Sequence, residues 1–328
     1  MIQTTTSLTL NDRIGSLLVR LCIGRGDFRV KPGLYTVGDP GKESDVFVTA
    51  NYKMSFDYLR SSLHGRNAYI LVLDTDGINV WCAAGKGTFG TDELVSRILS
   101  TQLQDTVSHK RIIVPQLGAS GVCGREVTKQ TGFKVIFGPV RTADLSAFLD
   151  SDMTATPEMR RVRFDLKDRA VLIPVDLVLA GKYMLPLILM LIIGSIMIPS
   201  ISSEARRGAT ALFAGWFAGG VLAPLALPIL PGRAFSTKGA FAGLVASGIL
   251  SLIIYNSASL MEIISWMLLI TSSASFISMN FTGTSTYTSP SGVKKEMRFS
   301  VPSQAAGFLI GLILMAITMV RCYQGTTS

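Results

Sequence analysis

Charge is spread so unevenly along this chain that two different solvents are implied. Residues 1–169 carry 22 Lys and Arg and 18 Asp and Glu, whereas residues 170–328 carry 9 and 4. About 20 consecutive apolar residues cross a hydrocarbon core of ~30 Å as a helix. Five apolar stretches follow the charged half, near 183–201, 209–230, 240–255, 260–281 and 305–320. The third is short for a span, so it is expected to start earlier or lie deep. Residues 1–150 read as a water-soluble domain, long enough for one α/β core. Residues 151–170 read as a charged connector, with Arg160, Arg161, Arg163, Lys167 and Arg169, and residues 171–328 as an all-α membrane domain.

The basic residues then orient the chain. Segments expected on one side carry Arg160, Arg161, Arg163, Lys167, Arg169, Lys182, Arg233, Lys238, Lys294, Lys295 and Arg298; the other side carries Arg206, Arg207 and Arg321. Excess Lys and Arg marks the cytoplasmic side. Residues 1–12 are mostly polar, with no apolar signal region. The expectation is a multi-pass protein of the cytoplasmic (inner) membrane, its N-terminal domain in the cytoplasm and its C-terminus outside. Much of the net charge of +9 flanks the spans, and no basic patch is interleaved with aromatics, which argues against nucleic acid as a partner. The four cysteines, Cys22, Cys82, Cys123 and Cys322, form no CxxC or CxxxC pair. That argues against an iron–sulfur cluster or structural zinc built from this chain alone, and a reducing cytoplasm argues against disulfides.

Within the soluble part, 46–49, 68–73, 111–114 and 133–137 read as strands, and 51–63, 91–103, 123–130 and 142–149 as helices. Residues 1–40 are ambiguous, 13–22 fitting a short helix or a strand. The alternation predicts a Rossmann-like, parallel, doubly wound sheet. After the strand at 68–73, residues 74–77 read as a turn and 78–81 as a second short extended run leading to Cys82. A cysteine is thereby placed at a strand exit, where α/β proteins contact ligands.

Several chemistries compete for that stretch. GKGTFG at 85–90 matches GxGxxG, but its first glycine lies beyond Cys82 rather than at the strand exit. A Walker loop fails, because Val80 stands where its first glycine belongs and Gly87 where Ser or Thr is needed. Cys82 is either a small buried hydrophobe or a thiolate favoured by the free N–H groups of a following helical turn. Trp81, Ala83 and Ala84 suggest a flat, uncrowded surface for a large planar ligand. A nucleophilic role wants a histidine base, and neither His64 nor His109 stands in an obvious partner context, so a lone thiolate ligating a metal is the more economical reading. Cys22 is expected in the core, Cys123 in a structural role, and Cys322 at an exposed or interfacial position. Glu262, near the start of a span, reads equally as an intramembrane functional group or an edge residue. The Ser-, Thr- and Gly-rich connection at 280–298 is either a solvated loop or a docking loop for the soluble domain or a partner.

NVWCAAGKGTFGT, in which Asn79, Val80, Trp81, Cys82, Ala83, Ala84, Gly85 and Lys86 stand contiguously, resembles the cap-helix signature of the mercury-methylating corrinoid protein family, HgcA. VTANYKMSFDYLR, VPQLGASGV and GFKVIFGPVRTADLSAFL resemble the corrinoid domain shared with the large subunit of the corrinoid iron–sulfur protein. The chain departs from the latter in lacking its four-cysteine motif and in adding five spans. The resemblance implies a cobalamin-type corrinoid held base-off, with Cys82 as lower axial ligand of cobalt and catalytic residue. Asn79, Val80, Trp81, Ala83, Ala84, Gly85, Lys86, Gly87 and Thr88 would surround it. It further implies methyl transfer to Hg(II), a methyl-donating methyltransferase, and a ferredoxin-like [4Fe-4S] partner, HgcB, as electron donor. An anionic sulfur opposite the methyl group would help it leave with its electron pair. A methyl carrier for another acceptor in one-carbon metabolism, and a non-catalytic membrane transporter or receptor with a nucleotide-binding domain, stay open beside it.

Overall fold

A computed structural model describes residues 1–254, 258–284 and 290–327. The chain divides into two compact units, Met1–Arg163 and Phe164–Ser328.

The first unit is an α/β domain on a six-stranded sheet. In chain order it contains β1 (Ile2–Thr4), α1 (Leu10–Arg20), β2 (Gly33–Val37), β3 (Val46–Ala50), α2 (Lys53–Ser62), β4 (Ala68–Leu73), α3 (Val80–Lys86), α4 (Thr91–Ser100) and α5 (Leu103–Thr106). It closes with β5 (Arg111–Val114), α6 (Gly124–Thr131), β6 (Lys134–Phe137) and α7 (Leu145–Asp150). The strand order is β1-β2-β4-β3-β5-β6. The sheet is mixed, not wholly parallel: β2 runs antiparallel to β4, while β3, β4, β5 and β6 pair in parallel. Every residue of β4 is buried, because both faces are covered. Leu71 and Leu73 point with Val48 and Ala50 into a layer that holds Val80, Ala83, Leu94, Ile98 and Val127. Ile70 and Val72 point with Phe47 into the opposite layer, which holds Phe56, Leu63 and Phe148. A continuous apolar run is what a central strand covered on both faces needs.

The ambiguous segment at 13–22 is helical. Thr9 and Asp12 form a reciprocal capping box that starts α1. Asp12 then accepts bonds from Lys53 and from Arg60 Nη2 at 2.7 Å, tying α1 to α2. Arg60 Nε also donates to buried Asp57 at 2.7 Å. Cys22 is half-buried in a left-handed turn after α1 (φ 59°) rather than in the core.

Among its described residues, the second unit holds five helices long and apolar enough to cross a membrane. They are α8 (Leu166–Met197), α9 (Ser202–Phe217) continued through a π turn into α10 (Ala223–Ala226), α11 (Phe235–Ile254), α12 (Leu260–Thr284) and α13 (Pro290–Thr327). The 32 residues of α8 make about 48 Å of helix, longer than a bilayer core. Its first turn reaches into the stretch expected to be a charged connector and carries Lys167, Asp168 and Arg169, with Asp176 and Lys182 further along the helix. The third apolar stretch starts earlier than 240, at Phe235. Helix α12 is central, and its neighbours approach through glycine. A Cβ at Gly219 would sit 2.6 Å from the Ala274 carbonyl oxygen, and one at Gly243 2.8 Å from Thr271 Cα. Small residues allow the close backbone approach that packs membrane helices. Glu262 accepts from Arg207 Nε at 2.7 Å and Nη2 at 3.3 Å, so it is a paired buried carboxylate. Of the connection at 280–298, residues 285–289 lie outside the described residues.

Candidate functional site

Because β3 to β6 are parallel, the loops after them share one edge of the sheet. Cys82 follows β4 and lies on that edge. His64 and His109 precede β4 and β5 and so lie at the opposite edge, where His109 Nε2 is 2.9 Å from the Ser44 carbonyl oxygen. This separation removes both histidines as a base for Cys82.

The route from β4 to Cys82 is held by one residue that sequence reasoning passed over. The β3–β4 register pairs Ala50 with Leu73, which brings Asn51 alongside Asp74. Asn51 is 2% exposed. Its Oδ1 accepts from the backbone N–H groups of Thr75 (3.1 Å) and Gly77 (2.9 Å), and its Nδ2 donates to Asp74 Oδ1 at 3.0 Å. The Thr75 hydroxyl lies 2.8 Å from Asn51 Oδ1 and 2.7 Å from the Ile78 carbonyl oxygen. Glu93, on α4, accepts from the Asp74 N–H at 2.8 Å and from Arg97 Nη2 at 2.7 Å. The turn at 74–77 includes left-handed Asp76 and Gly77 (φ 55° and 71°), and it is stitched to β3 and α4. A polar Asn directly after the wholly buried strand VFVTA was the available signal.

Residues 78–81 do not form an extended run. Asn79 is the N-cap of α3, its Oδ1 accepting from the Cys82 N–H at 2.9 Å. Cys82 therefore sits inside the first turn of α3, not ahead of it, and its own N–H is already satisfied. The cap replaces a missing intrahelical partner, which is why a short run that looks strand-like turns helical at Val80. Helical spacing then sorts the side chains. Val80, Ala83 and Ala84 are buried against the sheet; Trp81 and Cys82 are half-exposed; Gly85 and Lys86 are exposed. The flat surface expected from Ala83 and Ala84 is thus not theirs: they anchor the helix, and the outward face belongs to Trp81, Cys82, Gly85 and Lys86.

Gly87 ends α3 in the left-handed conformation (φ 87°), which favours glycine. The chain then buries Phe89 completely, and the Phe89 N–H donates to the Ala83 carbonyl at 3.2 Å. The loop after β5 closes over it. A Cβ at Gly118 would meet the Phe89 ring at 2.5 Å, and one at Gly121 would collide with the Phe89 carbonyl oxygen and lie 3.1 Å from Ala84 Cα. The Cys123 N–H donates to Thr91 Oγ1 at 2.9 Å, joining the start of α6 to that of α4. Cys123 itself is exposed. Thr88 Oγ1 is buried without a hydrogen-bond partner.

Cys82 is a free thiol. Among the described residues no three His, Cys, Asp or Glu side chains come together to hold a metal ion. A single sulfur fits only a metal that brings its remaining ligands with it. A metal already ringed by a planar macrocycle satisfies that condition, and Trp81 and Cys82 are both half-exposed.

Residues 22–149 match the family model described as CdhD, the CO dehydrogenase/acetyl-CoA synthase delta subunit. The same region is similar to the acetyl-CoA decarbonylase/synthase complex subunit gamma of Archaeoglobus fulgidus, 28% identical over 130 residues (39% of this chain, 27% of the relative). The corresponding subunit of Methanopyrus kandleri is 30% identical over 125 residues (38% and 27%). The corrinoid/iron-sulfur protein large subunit of Moorella thermoacetica is 28% identical over 129 residues (39% and 28%). The chain thus spans little more than a quarter of the length of these relatives. The similarity covers Asn51, the whole of 79–88 and the glycine loop at 118–121, and none of the five long helices.

Proposed function

We propose that this chain is a corrinoid-dependent methyltransferase that delivers a methyl group to Hg(II), with the Cys82 thiolate as lower axial ligand of the corrinoid cobalt. The observation that carries the reading is Cys82 itself. It is a lone, half-exposed thiol on a buried-anchored helix, at the strand edge of a domain related to a corrinoid/iron-sulfur protein.

When bound, the corrinoid supplies a cobalt centre that takes up and releases methyl groups. The rest is the work of the chain. Asn79 fixes the first turn of α3, Val80, Ala83 and Ala84 pin it to the core, and the Cys82 sulfur is left on the outward face. Trp81 is a half-exposed aromatic next to Cys82 in the chain, Thr88 has a buried hydroxyl without a protein partner, and Lys86 is a cation at the end of the helix. The Cys82 sulfur would hold the cobalt as a thiolate, a strong electron donor, and the chemistry it would favour there is release of a methyl group with its electron pair. The natural acceptor for that pair is a soft electrophile such as Hg(II).

The chain would be anchored in the cytoplasmic membrane by its five long helices. Arg233, Lys238, Lys294, Lys295 and Arg298 gather where α11 and α13 begin, against Arg206, Arg207 and Arg321 where α9 begins and α13 ends. That asymmetry supports a cytoplasmic first unit. A ferredoxin-like [4Fe-4S] protein would supply electrons, and a separate methyltransferase the methyl group. The named relatives favour a second reading, a methyl carrier in acetyl-CoA or other one-carbon chemistry.

The test is the visible spectrum of the purified protein with bound corrinoid, together with methylmercury formation by cells. Wild type should show a corrinoid spectrum that changes in Cys82→Ala, and that variant should lose methylmercury formation while still accumulating. Unchanged methylation in Cys82→Ala would remove the axial thiolate. A bound corrinoid without methylmercury formation in wild type would favour the second reading.

A further inference from the structure

A second site lies in the helical unit. A cavity of about 600 Å³ opens between the start of α11 and the first turns of α13. Arg233 and Lys295 both line it, both are exposed, and neither has an acidic partner among the described residues. The hydroxyls of Thr237 and Ser300 line it as well. Among the described residues Glu296 is the one acidic residue on its wall, and its carboxylate is engaged: Oε1 accepts from the Ser236 N–H at 2.6 Å, closing the first turn of α11.

The walls are held in place without a ligand. The Ser236 and Ser300 hydroxyls lie 2.9 Å apart, bridging α11 to α13. The Ser275 hydroxyl donates to the Ser236 carbonyl at 2.9 Å and accepts from Gln304 Nε2 at 2.8 Å, so α12 joins the same seam. Phe299, 68% exposed, stands at the cavity with its ring outward and Arg298 set against that ring. Below it the outer faces of α11 and α13 are apolar and exposed, through Phe241, Val245, Leu309 and Ile313.

We propose that this cavity binds the phosphodiester headgroup of an anionic membrane phospholipid. Two uncommitted cations with adjacent hydroxyls suit one group that bears negative charge and several acceptor oxygens. Basic pockets between membrane helices recognise anionic headgroups in this way. The apolar helix faces beneath the cations give the acyl chains a surface to lie on, which a soluble phosphate has no use for. Lys294 and Arg298, on the same turns of α13, add to the local positive potential.

The experiment uses the purified full-length chain in a neutral detergent. Binding of dihexanoyl phosphatidylglycerol, dihexanoyl phosphatidylcholine and inorganic phosphate is followed by the shift in thermal unfolding. The anionic lipid should bind roughly 10- to 30-fold more tightly than the zwitterionic one, from about two cations at the headgroup. Arg233→Gln combined with Lys295→Gln should erase that preference, while Arg321→Gln, at the other end of α13, should keep it. Equal affinity for the two lipids in the wild-type chain would overturn the proposal, and so would a preference that survives the double substitution. Inorganic phosphate binding as tightly as the anionic lipid would overturn it too, since the site would then be one for free anions.

Discussion

Asn51→Ala tests whether the cap helix is held from outside its own motif. Asn51 Oδ1 is the acceptor for the Thr75 and Gly77 N–H groups, and its Nδ2 is the donor to Asp74. Alanine leaves two buried backbone donors without a partner. An unsatisfied buried donor costs about 1–3 kcal/mol. Asp74 and Asp76 are exposed, so the turn can recover part of that loss by opening to water. A net local cost of about 3 kcal/mol is expected, which corresponds to roughly a 100-fold rise in the population of the opened turn. Amide hydrogen exchange on the full-length protein in detergent, read on peptides covering 71–91, measures that population. Exchange at 75, 77 and across α3 should accelerate by about two orders of magnitude, while the core of β4 changes less. Exchange within about threefold of wild type at these amides, in a folded protein, would show that the Asn51 bonds do not hold the turn.

Three further outcomes follow from the same geometry. Gly121→Ala drives a Cβ into the Phe89 carbonyl and Ala84 Cα, so it should destabilise the fold by about 1–3 kcal/mol, read as a lower urea midpoint at unchanged slope, whereas Gly85→Ala meets nothing within 4 Å and should be neutral or gain up to about 1 kcal/mol. Burial pushes the Asp12 carboxyl up, but the Lys53 and Thr9 hydrogen bonds outweigh it and hold the group well below its ordinary 3.8; its contribution is therefore full at neutral pH and fades as pH falls through the acid range below about 4, and Asp12→Asn should flatten the acid limb of a stability-against-pH curve. Glu262→Leu removes one of the two carboxylates that pair with Arg207 among the described residues and leaves Glu204, and thermal unfolding in detergent should show a loss of about 1–3 kcal/mol.

What was legible in the sequence divides along physical lines. β4 and the five long helices announce themselves because burial on both faces, or immersion in lipid, demands unbroken apolar runs. β1 and β2 do not: β1 is three residues long and exposed at Ile2 and Gln3, and β2 lies inside 32–41, a stretch whose Gly and Pro content reads as turn, so the antiparallel pairing of β2 with β4 had no local signature. The ends of the long helices were misplaced for the opposite reason. A hydropathy window stops at Lys182, but α8 continues to Leu166, because a helix can run past the bilayer.

The site was half legible, and the half that was hidden decides how it works. Residues 79–86 name the thiol and, through the Asn79 cap, the start of the helix at Val80, yet nothing in them states that Ala83 and Ala84 face inward or that the Cys82 sulfur faces out. Those facts depend on Asn51, thirty-one residues upstream of Cys82, and on Phe89 and Gly121, which lie beneath and beyond α3. Each constraint acts on a different part of α3: Asn51 sets its entry, the Asn79 cap its first turn, and Phe89 with Gly121 its exit. A short helix has little stability of its own, so the direction of the Cys82 sulfur is set by tertiary contacts rather than by the motif. It follows that the octapeptide moved to another α/β loop, without the acceptor on the neighbouring strand and the glycine loop above Phe89, would keep its cysteine and lose its orientation.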